Sequence, residues 1–433
     1  MSTVFRDFTY ASRHWSSYQR IQLAAGMAFS AVAPCLAGLA ISRRNDDLIL
    51  VNSTIAALVA IILGFFGYRR FGQFPGISAG SYIIPCFSIS YVFAISIMFF
   101  FRIDYSRPLL IADFLLTLAW FTAMHFASRR YAQYLFAVIP SGQVGILRGL
   151  SGPQYHFHTV ASPQEIDPRW NGLIADFRAD LGDNWERLIA FCVMRGVPVY
   201  HVKSFVEQLT GRVDIEHLSE NTLGSVNHHT YLQIRNVGER LLAAAALMLL
   251  IPFFVMISVA IRLETRGPAL FSQPRIGFRG KSFTVLKFRT MYHSLSSSEE
   301  ETASVSSRAS AMTRPNDARI TQVGRFLRST RLDELPQILN ILRGEMSWIG
   351  PRPEAIALSE WYEAELPFYH YRHIVRPGIT GWAQVSQGHV TDVSEVKSKL
   401  QYDFYYIKNL SFWLDMLILF RTFRTVVTGQ GAR

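Results

Sequence analysis

Five apolar runs, each close to the length of a bilayer crossing and each bounded by arginines, constrain this chain more than any other feature. Four come early, at about 21–41, 48–67, 82–101 and 109–127, and the fifth covers 241–261. A helix needs about 20 apolar residues to cross the hydrocarbon layer. Composition points the same way. Only 17% of the 433 residues are charged, against about 25% in an ordinary soluble domain. This argues against a fully soluble protein and excludes a disordered chain, a collagen and a coiled coil.

Residues 1–20 are polar and aromatic, with no early apolar core and cleavage site, so they do not read as a signal peptide. Positive charge orients the four early runs. With the N-terminus in the cytoplasm, the inner side holds Arg6, Arg13, Arg20, Arg69, Arg70, Arg129 and Arg130. The outer side then holds only Arg43, Arg44, Arg102 and Arg107. Four crossings return the chain to the cytoplasm near residue 130. Asp113 is the one acid within these runs and is a functional candidate on that ground. Its place near the start of its run would also let it reach the interface. The fifth run has Pro252 at its centre and Arg235, Arg240, Arg262 and Arg266 at its two ends. The residues alone leave a full crossing and a same-side return both open.

Between the two apolar regions the pattern changes. LFAVIP (135–140), GLIADF (172–177) and VPVYHV (197–202) read as buried strands, and WERLIAFCVMRG (185–196) as a helix. Such alternation predicts a small parallel, Rossmann-like α/β domain at 132–234. It lacks the full glycine fingerprint of a dinucleotide site. His156, His158, His228 and His229 have no metal-ligand spacing, and Cys35, Cys86 and Cys192 are too scattered for a disulfide framework.

The net charge of +11 is concentrated in residues 262–433, which hold 23 Lys+Arg against 16 Asp+Glu. In a chain attached to a membrane, phosphate groups at the bilayer are a more economical partner than nucleic acid. Two acids stand out there, Asp333 and Glu334 in RSTRLDELPQILNIL. Thr330 and Asp333 fit a capping box, and Pro336 suits a helix first turn. That would place both carboxylates at a helix N-terminus, ionised by the dipole and by Arg328 and Arg331. An ionised carboxylate can attack phosphorus or hold magnesium; simple capping and salt bridging is the other reading. Arg352, between the prolines of GPRP (350–353), is a stiffly held guanidinium suited to phosphate. RPGITGWAQ (376–384) reads as a turn-rich structural run.

The order of RGPALFSQPRIGFRGKSFTVLKFRTM (266–291), GRFLRSTRLDELPQILNILRGEMSWIGPRPE (324–354), RPGITGWAQ and YDFYYIKNLSFWLDMLIL (402–419) resembles the bacterial polyprenyl-phosphate glycosyl-1-phosphate transferases. These form the monotopic phosphoglycosyl transferase superfamily. The match runs from about Arg235 to the C-terminus, and the added spans resemble the large members that start exopolysaccharide or O-antigen synthesis. The resemblance implies a membrane α-helical plus α/β fold: four transmembrane helices (1–131), the Rossmann-like cytoplasmic module (132–234) and a catalytic domain (235–433). The catalytic domain would carry a re-entrant helix at about 241–261, broken at Pro252, and face the cytoplasm at the inner membrane.

It further implies transfer of a sugar 1-phosphate from a UDP-sugar to undecaprenyl phosphate, with release of UMP. Asp333 would be the nucleophile of a covalent intermediate, and Glu334 the magnesium ligand. Lys287, Arg289, Arg328 and Arg352 would bind phosphate, with Asp403 in the same site. This chain departs from the family pattern at Ile251, where many members have Ser, and before the helix, where Arg235 and Glu239 are the nearest equivalents. It also departs at SQGHV (386–390), where His389 is a candidate for sugar preference. The Ser-rich stretch 294–310 reads as a surface loop able to close over the donor. A homodimer is expected from general frequency. Two alternatives remain at this level: an inactive scaffold for polysaccharide assembly, and a glycosyltransferase that releases UDP.

Overall fold

A computed structural model describes residues 19–41, 47–72, 74, 79–131, 134–150, 155–165, 167, 169–213, 229–292, 319–387 and 393–428. His389 and the stretch 294–310 lie outside them. The chain divides into two compact units, Met1–Gly211 and Arg212–Arg433.

The first unit opens with four apolar helices: α1 (Gln19–Ala40), α2 (Asp47–Phe71), α3 (Ile83–Phe100) and α4 (Arg107–Tyr131). Each lies in a stretch long and apolar enough to cross a membrane. They pack through small residues, as helices in lipid do. Ala57, Ala60 and Gly64 of α2 are buried, and a Cβ at Gly64 would overlap the ring of Phe87 on α3. Their outward residues, among them Ile55, Ile62, Phe66 and Phe93, are exposed, as a lipid-facing surface requires. Asp113 faces the neighbouring helices rather than the outer surface of the bundle. It is fully buried on α4, and neither carboxylate oxygen has a hydrogen-bond partner among the described residues.

A parallel sheet follows, built from β1 (Tyr134–Val138), β2 (Tyr155–Thr159), β3 (Gly172–Ala175) and β4 (Val199–His201). Its order is β2-β1-β3-β4. Helix α5 (Asp183–Met194) precedes β4, and α6 (Val202–Thr210) follows it. β3 is buried at every residue because it is central and covered on both faces. The edge strand β2 was not anticipated: its YHFHT pattern is half exposed and weakly apolar. The Asp176 carboxylate, just past β3, accepts from the backbone N–H of Gln143 (2.9 Å) and Arg178 (3.1 Å). A side-chain anion thus occupies the turn after β1, where a nucleotide phosphate would sit in a dinucleotide-binding fold. All three cysteines are buried and free.

The first described helix of the second unit is α7 (His229–Glu264), 36 residues that stay helical on both sides of Pro252. Pro252 has no N–H for the carbonyl four residues back. The two halves of α7 meet neighbouring parts of the unit. Ala243, before the proline, packs with Val285, Ile338 and Ile341. Ile257 and Ile261, after it, pack with Phe288 and Leu327. Leu335 borders both clusters.

The antiparallel hairpin β5 (Leu270–Ile276) and β6 (Ser282–Phe288) comes next. Helix α8 (Gln322–Thr330), a 3₁₀ turn at Leu332–Glu334 and α9 (Gln337–Arg343) carry the acid pair. β7 (Ser347–Ile349), α10 (Ile356–Glu365), β8 (Gly378–Thr380), α11 (Trp382–Ser386), α12 (Val393–Lys408) and α13 (Phe412–Thr428) complete the unit. β7 and β8 pair in parallel. Gly378–Thr380 of the RPGITG run is therefore a strand rather than a loop, and it braces the residues just before GPRP. A Cβ at Gly378 would overlap the Ile349–Gly350 backbone, which is why glycine stands there.

Candidate active site

Four separate segments bring their charged side chains to one place. Lys287 comes from the end of β6, Arg328 from the last turn of α8, Asp333 and Glu334 from the 3₁₀ turn, and Arg352 from the GPRP loop. Helix α8 ends because Arg331 adopts a left-handed conformation (φ 58°), which swings the chain into the acid turn. The expected capping box does not form. Thr330 closes α8 instead, its hydroxyl donating back to the carbonyls of Phe326 (2.8 Å) and Leu327 (3.2 Å). The helix that follows the acids begins only at Gln337.

The two acids differ in what they touch. Glu334 is buried between two cations: Lys287 Nζ donates to Oε1 at 3.0 Å, and Arg352 Nη2 donates to the same oxygen at 2.6 Å. Burial alone would push this carboxyl up. Arg352 and Lys287 more than reverse that and hold it well below the usual carboxylate range. Lys287 is lowered from its ordinary value, by burial first and also by Arg352 and Arg275, against the pull of Glu334. The contacts still define an ionised pair, because one carboxylate between two cations stays charged.

Asp333 has no hydrogen bond or ion pair among the described residues. Burial, and then the charge of Glu334, raise its pKa; Lys287, Arg328 and Arg352 act in the opposite sense and do not cancel the rise. The neighbouring arginines and the helix dipole predict the opposite sign, and desolvation with the adjacent acid outweighs them. Arg331, one of those arginines, is exposed.

Arg328 donates through Nε to the Thr290 hydroxyl at 2.9 Å, which sets its guanidinium beside the turn. Glycine makes this close packing of α8 on KFRT feasible: a Cβ at Gly324 would overlap the Thr290 backbone. Gly324→Ala should therefore displace α8 and destabilise the unit by about 1–3 kcal/mol. Thermal unfolding in detergent measures this; an unchanged midpoint would refute the packing argument.

Arg289 is not in the acid cluster, although it shares a motif with Lys287. Its guanidinium donates to the carbonyls of Arg266 (3.1 Å) and Thr265 (3.0 Å) and to the Thr265 hydroxyl (2.7 Å), so it ties down the end of α7. From the same end, Glu264 caps α8 by accepting from Gln322 N (2.6 Å) and Val323 N (3.1 Å). Asp403 is buried on α12, 2.9 Å from Arg372 Nη2. Arg372 was missed by sequence reasoning, as were the half-buried Glu354 and its partner Lys399. Arg235 and Glu239 lie not with the acid pair but in a buried polar knot at the start of α7.

An unpartnered carboxylate beside a cation-paired one, with Lys287, Arg328 and Arg352 around them, suits attack on a phosphate carrying several negative charges. The bacterial sugar transferase family matches residues 230–429. The chain is 38% identical over 442 residues to the UDP-N-acetylgalactosamine-undecaprenyl-phosphate N-acetylgalactosaminephosphotransferase of Aeromonas hydrophila, covering 98% of this chain and 100% of that one. It is 42% identical over 193 residues to a UDP-glucose:undecaprenyl-phosphate glucose-1-phosphate transferase of Caulobacter vibrioides, covering 44% of this chain and 68% of the relative. With the like-named protein of Escherichia coli K12 the identity is 38% over 221 residues, 51% of this chain and 44% of the relative.

Proposed function

The chain belongs to the bacterial sugar transferases that are polyprenyl-phosphate glycosyl-1-phosphate transferases, and from that premise we propose its reaction. It transfers a sugar 1-phosphate from a UDP-sugar to undecaprenyl phosphate, releases UMP, and so begins a bacterial exopolysaccharide or O-antigen. The observation that carries this reading is the division of labour in the acid pair. Glu334 takes the salt bridges to Lys287 and Arg352, and Asp333 beside them has no ion pair among the described residues.

In the proposed first step, an Asp333 carboxylate oxygen attacks the sugar-bearing phosphorus of the donor. The bond from that phosphorus to the bridging diphosphate oxygen breaks, and its electrons leave with UMP. In the second step, a phosphate oxygen of undecaprenyl phosphate attacks the same phosphorus. The Asp333–phosphorus bond breaks and the carboxylate is restored. Lys287, Arg328 and Arg352 screen the donor's charge so that an anion can approach.

Magnesium fits the donor set in a limited way. Among the described residues no cluster of three or more His, Cys, Asp or Glu side chains is placed to hold a metal ion. Magnesium usually takes one or two carboxylates and fills its remaining positions with water and substrate phosphates. Glu334 would hold it. When bound, it would supply further neutralisation of the diphosphate charge.

The same reading puts α1–α4 across the inner membrane, the Rossmann-like module at 132–234, and the catalytic domain at 235–433 on the cytoplasmic face, where UDP-sugars are found. Helix α7 would enter and leave by that face, bent at Pro252. Its packing supports this. Residues on both sides of Pro252 pack against the same unit, Ala243 with Ile338 and Ile341, and Ile257 with Phe288 and Leu327. Both ends of α7 also hydrogen-bond within the unit, Arg235 to Ser347 and Glu264 to Gln322.

The test is product release by purified protein with undecaprenyl phosphate and magnesium. UDP-N-acetylgalactosamine, the donor named for the full-length relative, comes first and UDP-glucose second. UMP is the expected product. UDP would indicate ordinary glycosyl transfer, and no release from any donor by a folded preparation would favour a scaffold.

A further inference from the structure

Arg352 is held from behind. Prolines 351 and 353 have no N–H, so this segment offers mainly carbonyls as handles, and each of three successive carbonyls is taken by a different element. Pro351 O accepts from Gly378 N at 3.0 Å. Arg352 O accepts from Arg372 Nη2 at 2.9 Å, and Pro353 O accepts from Arg275 Nη1.

Arg372 is 3% exposed and Asp403 1% exposed. A buried guanidinium needs a counter-charge and partners for its donors. Asp403 Oδ2 supplies the charge at 2.9 Å, and the Tyr369 hydroxyl accepts from Nη1 at 2.6 Å. Glu354, immediately after the loop, is separately paired with Lys399 on the same helix as Asp403.

We infer that Asp403, acting through Arg372, is a positioning residue that sets the reach of Arg352 toward Glu334 and the donor phosphate. Asp403 does not touch the acid pair in this arrangement. It orients Arg372, Arg372 holds the Arg352 carbonyl, and the Arg352 side chain projects from that fixed point to Glu334. The inference rests on the phosphosugar-transfer reading, in which Arg352 meets phosphate.

A small displacement at a phosphate clamp costs about a hundredfold in rate. Asp403→Asn and Arg352→Ala should each lower kcat/KM for UMP release by about that factor. Because both act through one guanidinium, the double variant should match the worse single variant within about twofold. Independent roles would instead multiply. Since Asp403→Asn alone could unfold the unit, a second pair separates stability from position. Arg372→Met with Asp403→Leu removes both buried charges, a change that often leaves stability intact, but it leaves the Arg352 carbonyl without its donor. Its melting midpoint should stay near wild type while kcat/KM stays low. Recovered activity in this pair, or multiplied losses in the first, overturns the inference. A wild-type protein that releases no UMP overturns the transfer reading with it, whereas an active wild type with multiplied losses overturns this inference alone.

Discussion

Asp333→Asn protein should fold, bind donor and release essentially no UMP, a fall of at least about a thousandfold in kcat. Asparagine preserves the shape of the side chain and removes the oxygen anion that would form the bond to phosphorus. Without acceptor lipid, wild type should give a burst of UMP stoichiometric with enzyme and keep a sugar-phosphate label on the protein. The variant should give neither. A burst that survives the substitution would remove Asp333 from the role of nucleophile.

The pH dependence has a defined sign. Burial and Glu334 hold the Asp333 pKa above its ordinary value, and attack requires the ionised form. The acid limb of the burst should therefore lie at higher pH than an ordinary aspartate would give. Glu334→Gln removes one of the raising charges and releases Lys287 and Arg352 from their salt bridges, so the residual burst should have its acid limb at lower pH. A shift upward would mean that Glu334 does not act on Asp333 through charge.

How far the sequence revealed this site can be followed residue by residue. Lys287, Arg328, Asp333, Glu334 and Arg352 come from four segments, yet their motifs led to all five, because glycines and prolines around them mark the turns that bring them together. Arg289 misled because it shares a motif with Lys287. Strand β6 ends at Phe288, so alternation no longer predicts where the next side chain points, and Arg289 turns to α7. Arg372 carried no signal. It stands in an aromatic stretch, and a buried arginine is recognisable only once Asp403, 31 positions later, folds against it. Burial misled twice more. Asp113 sits near a run's end in sequence but is enclosed by its neighbours, and Asp333 has arginines nearby but is more affected by desolvation. The apolar helices and the small parallel sheet were legible because periodicity and length are local properties. The edge strand β2 was not, since half its residues face outward.

The largest stability effect should come from Arg235. Its guanidinium donates to Glu239 (2.9 Å), the Tyr406 hydroxyl (2.8 Å), the Ser347 hydroxyl (2.5 Å) and the Ile349 carbonyl, and it lies 3.3 Å from Asp415. Tyr231 and Tyr406 in turn donate to Asp415. One cation thus neutralises two buried acids and ties α7 to β7, α12 and α13. Arg235→Ala would leave Asp415 and Glu239 without their shared ion-pair partner. Breaking a buried pair in this way costs about 3–5 kcal/mol, a large share of a typical domain's net stability. The unfolding midpoint of the variant in detergent should fall steeply, and Arg235→Lys, which keeps the charge but not the fork, should fall less. Equal loss in both would assign the effect to the hydrogen bonds rather than the charge. The consequence reaches the active site because Ile349, whose carbonyl Arg235 holds, lies three residues before Arg352. An Arg235→Ala protein rescued from unfolding by lipid should therefore still transfer slowly, since the segment that presents Arg352 would have lost its attachment to the membrane helix.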